Sequence, residues 1–333
     1  MSLKLIGHLG SPYSRKFRAF LRYKQIPFEF VRAQTEEADA LPRSKIPIMP
    51  ALYFPDDNYA TGHTDSTPLI RAIDQKYPTR ITAPKDPAIS FLNDVMEDFA
   101  DEWVVKAMFH YRWKYDEEHN SEYLMLASHP NMDQNMMKML AKTFRERQIN
   151  RLDKVVGVND TTSGLVEEGY TRILEICNSM ITQNKFLLGN RPSSADFSFF
   201  GQYAQLVGLD PTPSRLAVKH APRMKPWCDV MDDLSGMADM SEDTWITRSD
   251  LIGSVPHHSF FNYVNDIYIP FLRANAKALN SGEKEFSVEL KGSLWKQNTF
   301  PYQAKCLKQL YLTWEALSND DKDFVRCFSL KFP

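Results

Sequence analysis

Apolar and polar residues alternate along this chain in two rhythms, and the rhythm changes twice. Residues 3–33 read as strand, turn, helix, turn, strand. An apolar stretch ends at Gly10; Phe17, Phe20 and Leu21 then fall at i, i+3 and i+4, with Arg15, Arg18 and Arg22 left to face solvent. After Pro27 the run Phe28-Glu29-Phe30-Val31 alternates at period two. A strand-helix-strand unit this short is compatible with a parallel crossover. Residues 47–54, the turn-forming Pro55-Asp56-Asp57-Asn58 and the short Tyr59-Ala60-Thr61 predict a strand hairpin. Asp65-Ser66-Thr67-Pro68 then opens a helix whose apolar stripe starts at Leu69 and Ile73. The order is βαβ followed by ββα.

Pro78, Pro84 and Pro87 break the periodicity, which predicts a domain boundary between Thr79 and Pro87. Beyond it the chain is helical to about residue 235. Leu92, Met96, Phe99 and Trp103 form one stripe, and Val166, Tyr170, Ile173, Cys177 and Met180 form another. The last ninety or so residues change again: a strand over Phe286-Ser287-Val288-Glu289-Leu290, between Gly282 and Gly292, precedes a helix with Leu307, Leu310, Tyr311 and Trp314 on one side. The expected organisation is an α/β domain over residues 1–80, an all-α domain over 88–240, and an extension over 241–333 with no assigned role.

Composition narrows the function classes. With 40 Lys+Arg against 42 Asp+Glu in 333 residues, no strong field exists to steer a polynucleotide or an anionic membrane, so neither partner is expected. The N-terminal apolar run is too short for a signal peptide and no later run reaches spanning length, which gives the expectation of a cytoplasmic protein. Cys177, Cys228, Cys306 and Cys327 contain no Cys-x-x-Cys pair and read as reduced thiols. His257 and His258 are adjacent, so they do not share a helical face, and no metal is expected.

Four motifs in order carry a resemblance: Gly10-Ser11-Pro12-Tyr13-Ser14, Leu41-Pro42-Arg43-Ser44-Lys45-Ile46-Pro47-Ile48, Asp65-Ser66, and Phe186-Leu187-Leu188-Gly189 running on to Ser193-Ser194-Ala195-Asp196. Together with the element order they resemble the soluble, cytosolic-type glutathione S-transferase superfamily, in its serine version, over about residues 1–235. The resemblance implies a thioredoxin-like domain that binds glutathione as co-substrate, an all-helical domain contributing the site for an electrophilic small molecule, and a homodimer. The extension lies outside it.

Read locally, Ser11 before Pro12 is an N-cap. A helix N-terminus also favours an anion, and a thiolate there is the reactive form of a thiol. The resemblance makes Ser11 the hydroxyl that stabilises the glutathione thiolate, with Tyr13 and Ser14 as rivals. It also implies a cis Pro47, the Ile46 backbone pairing with the cysteinyl group, and Lys45 at the glycyl carboxylate. Asp65 and Ser66 read as caps of the next helix, and by resemblance receive the γ-glutamyl ammonium and carboxylate. Ser193 and Asp196 have capping-box spacing, a folding role. Phe109, Tyr111, Trp113 and Tyr115 are a candidate lining for the electrophile, or simply core. The leading activity is glutathione transfer. Alternatives are a non-catalytic binding or scaffold protein of the same fold, an etherase, a dehalogenase, or an isomerase, although the Ser-Ser-Cys-x-x-x-Arg pattern of maleylacetoacetate-type isomerases is not matched.

Overall fold

A computed structural model describes residues 2–241 and 244–332. Strand β1 (Leu3–Gly7) buries every second residue, and its parallel partner β2 (Phe28–Arg32) follows helix α1 (Pro12–Tyr23), which packs Phe17, Phe20 and Leu21 inward. A short helix α2 (Glu36–Asp39) leads towards β3 (Ala51–Tyr53), β4 (His63–Thr64) and helix α3 (Ser66–Lys76). The sheet order is β2-β1-β3-β4, with β3 antiparallel to both neighbours. The second hairpin strand lies at residues 63–64 instead of 59–61. Pro55–Asp57 forms a 3-10 turn, and Asn58 and Tyr59 both take positive φ, 56° and 60°, so strand geometry resumes later.

Helix α4 (Pro87–Phe99) continues through a π turn (Ala100–Val104) into α5 (Val105–Lys114). Next come α6 (Glu117–Ser128), α7 (Gln134–Arg151), α8 (Ser163–Met180), α9 (Ser194–Leu206), α10 (Pro211–His220) and α11 (Met224–Asp232). Every residue of α9 is buried, and α1 lies directly against it. Gly201 permits that approach, because a Cβ there would stand 2.6 Å from the Pro12 carbonyl oxygen. The capping box forms as expected: Ser193 accepts from the Asp196 N–H, and the Asp196 carboxylate accepts from the Ser193 and Leu187 N–H groups.

The C-terminal residues form no loose tail. Helices α12 (Arg248–Ile252), α13 (Val255–Tyr263) and α14 (Ile269–Asn280) precede the hairpin β5 (Glu285–Leu290) and β6 (Ser293–Asn298), then α15 (Pro301–Glu315) and α16 (Asn319–Arg326). The strand expected at 286–290 is present. Its partner β6 follows a two-residue turn, Lys291-Gly292, at φ 47° and 79°. These elements share one apolar core with α4: the rings of Trp103 and Trp295 lie 5.1 Å apart, Phe91 and Trp314 5.6 Å, and Phe99 and Phe260 5.2 Å. Within this seam Lys106 Nζ donates to Val156 O (2.8 Å) and Gln297 Oε1 (3.0 Å) and lies 4.6 Å from the Phe271 ring centre. Burial pulls its pKa down to about 7.

Candidate functional site

The loop between β1 and α1 is held from three sides. Gly10 N–H donates to His8 Nδ1 (2.9 Å), so that nitrogen is unprotonated and Nε2–H donates to Leu124 O (2.9 Å). Burial lowers the His8 pKa, which agrees with this neutral tautomer. Arg112 donates to Gly10 O (2.7 Å) and pairs with the buried Asp210 (3.1 Å), while Gln205 donates to Leu9 O (3.2 Å).

This frame delivers Ser11 to the α1 N-terminus with extended backbone. Its Oγ accepts from Ser14 N–H at 3.3 Å, and acceptance leaves the hydroxyl proton available to donate. The two rivals differ in surroundings, Tyr13 by its bond and Ser14 by its burial. Tyr13 donates its hydroxyl to Asp101 O (2.9 Å) on the π turn, and burial raises its pKa. Ser14 is fully buried against Gly7, with its Oγ accepting from His8 N–H (3.2 Å).

In the segment before β3, Lys45, Ile46 and Pro47 are all exposed. The cis peptide is Met49–Pro50, not Ile46–Pro47. Two prolines stand three residues apart here, and the one that immediately precedes β3 is Pro50. The Ile46 carbonyl is moreover occupied, accepting from Ser44 Oγ–H (2.7 Å) and Ile48 N–H (2.8 Å).

At the start of α3, Ser66 is buried, and Asp65 occupies the N-cap position without capping. Asp65 has φ 77° and ψ 99°, a conformation that non-glycine residues rarely hold and that marks functional positions more often than most. Its carboxylate turns to the C-terminal helix instead, where Tyr302 OH donates to Oδ1 (2.8 Å) and Lys305 Nζ lies 3.5 Å from Oδ2. Sequence spacing gives no hint of a contact across 237 positions.

Beside Asp65 a cavity of about 410 Å³ opens between α3, α4 and α15. Its walls are acidic, with Asp94, Glu97, Asp98, Asp101 and Glu102 all contributed by α4 and its π turn. Lys16 Nζ bridges Glu97 (2.9 Å) and Asp101 (2.6 Å), and Arg71 bridges Asp94 and Glu97 (2.6 Å each). Burial alone would raise the Glu97 pKa, but Arg71 and Lys16 outweigh it and hold it at about 2. Asp98 is paired with the Tyr268 hydroxyl and not with a cation, and Lys106 offsets only part of the burial of Glu102. Burial pushes them up to about 7 and about 8. A sequence signal for this wall exists: the carboxylates stand at i, i+3, i+4, i+7 and i+8, a stripe beside the apolar one at Leu92, Met96, Phe99 and Trp103.

The aromatic quartet on α5 does not form one wall. Tyr111 is buried with its ring 5.3 Å from Tyr170, whereas Trp113 packs 5.7 Å from Phe144 in a separate small core with Leu124 and Met137. Phe109 is half-buried between the two cores, and exposed Tyr115 donates to Glu167 (2.7 Å). A helix turning 100° per residue sends alternate positions to different sides, and none of the four lines the cavity. The histidine pair is structural: His257 is buried and hydrogen-bonds Leu187 O (2.8 Å), and His258 stacks on Phe328. Among the described residues no group of three His, Cys, Asp or Glu side chains could hold a metal ion, and no helix is long and apolar enough to cross a membrane.

Residues 5–81 match the family described as glutathione S-transferase, N-terminal domain. A search of curated proteins finds no match. Among solved structures the chain is similar to a glutathione S-transferase from Methylobacterium radiotolerans in complex with glutathione sulfonate, at 17% identity over 74% of this chain and 95% of that one, with a TM-score of 0.44. It is also similar to the beta-etherase LigF from Sphingobium (16% identity, 70% and 95% covered, TM-score 0.49) and to a Tau class glutathione S-transferase from mango, Mangifera indica (17%, 75% and 95%, 0.41). The matched residues fold as a thioredoxin-like sheet and are followed by a mostly helical region, the arrangement of the glutathione S-transferase fold.

Proposed function

We propose that this protein is a glutathione transferase that binds glutathione as its thiolate and adds the sulfur to an electrophilic small molecule. The observation that carries the reading is Ser11, a half-buried hydroxyl at the N-terminus of α1 whose proton is free to be donated. A sulfur placed there meets the positive end of the helix as well as that donor, and both favour the thiolate. Tyr13 and Ser14 support the site by packing and do not touch the sulfur.

The other groups accommodate the rest of the tripeptide. Ser66 and the free N–H groups of the first turn of α3 receive the γ-glutamyl carboxylate, and Asp65 faces the ammonium. The cysteinyl backbone lies against Met49, in the segment that leads into β3, in place of Ile46. Lys45, exposed nearby, reaches the glycyl carboxylate. In this reading residues 1–80 hold glutathione, residues 88–240 bring the electrophile, and residues 241–333 close the γ-glutamyl side. A homodimer belongs to the same reading, with its interface away from the α3–α4 face that α15 covers.

Isothermal titration with glutathione tests the proposal. Binding, with the pKa of the bound thiol below that of free glutathione, is the expected result. No binding defeats it, and binding that leaves the thiol pKa unchanged replaces the transferase with a non-catalytic glutathione-binding protein.

A further inference from the structure

Asp65 is built for something other than capping. A residue at this position would by default turn its side chain to the free N–H groups of α3, and an aspartate does so well. Here φ of 77° points the carboxylate outward to α15, in the C-terminal extension. The two oxygens then have unequal company. Oδ1 accepts a short bond from Tyr302 (2.8 Å), whereas among the described residues Oδ2 has only Lys305 at 3.5 Å, on a side chain that is 67% exposed. The other cations near the cavity are engaged: Arg71 in its wall with Asp94 and Glu97, and the buried Lys16 behind it with Glu97 and Asp101. Burial and the neighbouring acidic groups push the Tyr302 hydroxyl far up, so it remains a donor at any physiological pH. The 410 Å³ cavity beside Asp65 leaves room for a ligand group at the loosely held oxygen.

We infer that the C-terminal extension completes the γ-glutamyl end of the glutathione site, an inference that rests on the transferase reading of Asp65 and Ser66. Tyr302 is a positioning residue: it fixes the Asp65 carboxylate so that Oδ2 meets the α-ammonium group of glutathione. Lys305 is the cation that this ammonium displaces. The tripeptide is thereby recognised by its amino group as well as its carboxylate, through a residue that lies outside both transferase-like regions.

The test compares glutathione with its deamino analogue, glutaryl-cysteinyl-glycine, by calorimetric titration of the full chain. Wild type should prefer glutathione by about tenfold, the worth of one hydrogen bond to a charged group. Tyr302→Phe should weaken glutathione by about tenfold and leave the analogue within about twofold. Lys305→Met, at an exposed position that does not threaten folding, should tighten glutathione a few-fold and leave the analogue unchanged. Loss of both ligands alike in Tyr302→Phe is what a mere fastening of α15 would give, and it overturns the inference. So does a Lys305→Met variant with unaltered glutathione affinity. Equal wild-type affinity for the two ligands overturns it while sparing the proposed function. Failure of wild type to bind either ligand removes both.

Discussion

Replacing Ser11 with alanine separates the two duties that its hydroxyl performs. As a cap, Oγ accepts one bond from Ser14 N–H, and at 3.3 Å this is a long one. Its loss costs about 0.5–1 kcal/mol, a shift of about 2–4 °C or less in a chain of this size. As a donor to a thiolate, the same hydroxyl makes a charge-assisted bond of about 1.5–3 kcal/mol. Divided by 1.36 kcal/mol per unit, that is a rise of about 1–2 units in the pKa of bound glutathione. Ser11 is only half-buried, so solvent screening favours the lower end. The measurement is thiolate absorbance of the glutathione complex against pH, with a melting curve alongside. A titration curve that stays in place while glutathione remains bound refutes the role of Ser11. Tyr13→Phe is the control: its hydroxyl is directed to Asp101 O, so it should lose about 1 kcal/mol of stability and leave the thiol pKa where it was.

Three further outcomes follow from the packing. Asp196→Ala leaves the Leu187 and Ser193 N–H groups without their 2.8 Å acceptor and should lower unfolding free energy by about 2–4 kcal/mol, with glutathione affinity preserved. Urea unfolding that moves by less than about 0.5 kcal/mol would contradict the capping role. Trp295→Ala should cost about 3–5 kcal/mol and destabilise the whole chain in one transition; a separate early transition of the extension would show that the shared core is wrong. Glu102 has a folded pKa raised by burial to about 8 from 4.5, so the stability present below pH 4.5 is lost as pH rises through 8. Glu102→Gln keeps the uncharged form, and its stability relative to wild type should grow from pH 5 to pH 8.5. A constant difference across that range would rule out a raised pKa.

What was legible in the sequence is what local chemistry determines. The α1 stripe at Phe17, Phe20 and Leu21, the helix start at Ser11-Pro12 and the Ser193–Asp196 box all depend on neighbours within one helical turn, and all are present. Pro47 and Pro50 illustrate the limit. Both precede apolar residues, and only the strand ladder, which begins at Ala51, distinguishes them. The aromatic quartet at 109–115 divides for a related reason: aromatic composition says nothing about direction around a helix, and Tyr111 and Trp113 enter different cores, the alternative the sequence also allowed. The acidic stripe on α4 was readable but lacked meaning, because its counterparts lie on α1, α3 and α15.

Two helix N-termini in this fold treat the same rule in opposite ways. At α1 the serine obeys it: Ser11 caps by accepting from Ser14 N–H, and acceptance leaves its hydroxyl proton free to be donated. At α3 the aspartate breaks it: Asp65 forgoes the cap, and a non-glycine residue at φ 77° costs of order 1–3 kcal/mol. A local preference abandoned at such a cost needs compensation from elsewhere in the structure, and the contacts in place are Tyr302 and Lys305. Those two residues belong to the extension, whose seam with α4 is fixed by Trp103, Trp295 and Trp314. The strained aspartate therefore ties α15 to the start of α3: among the described residues, the partners that hold the Asp65 carboxylate are Tyr302 and Lys305, and both come from α15.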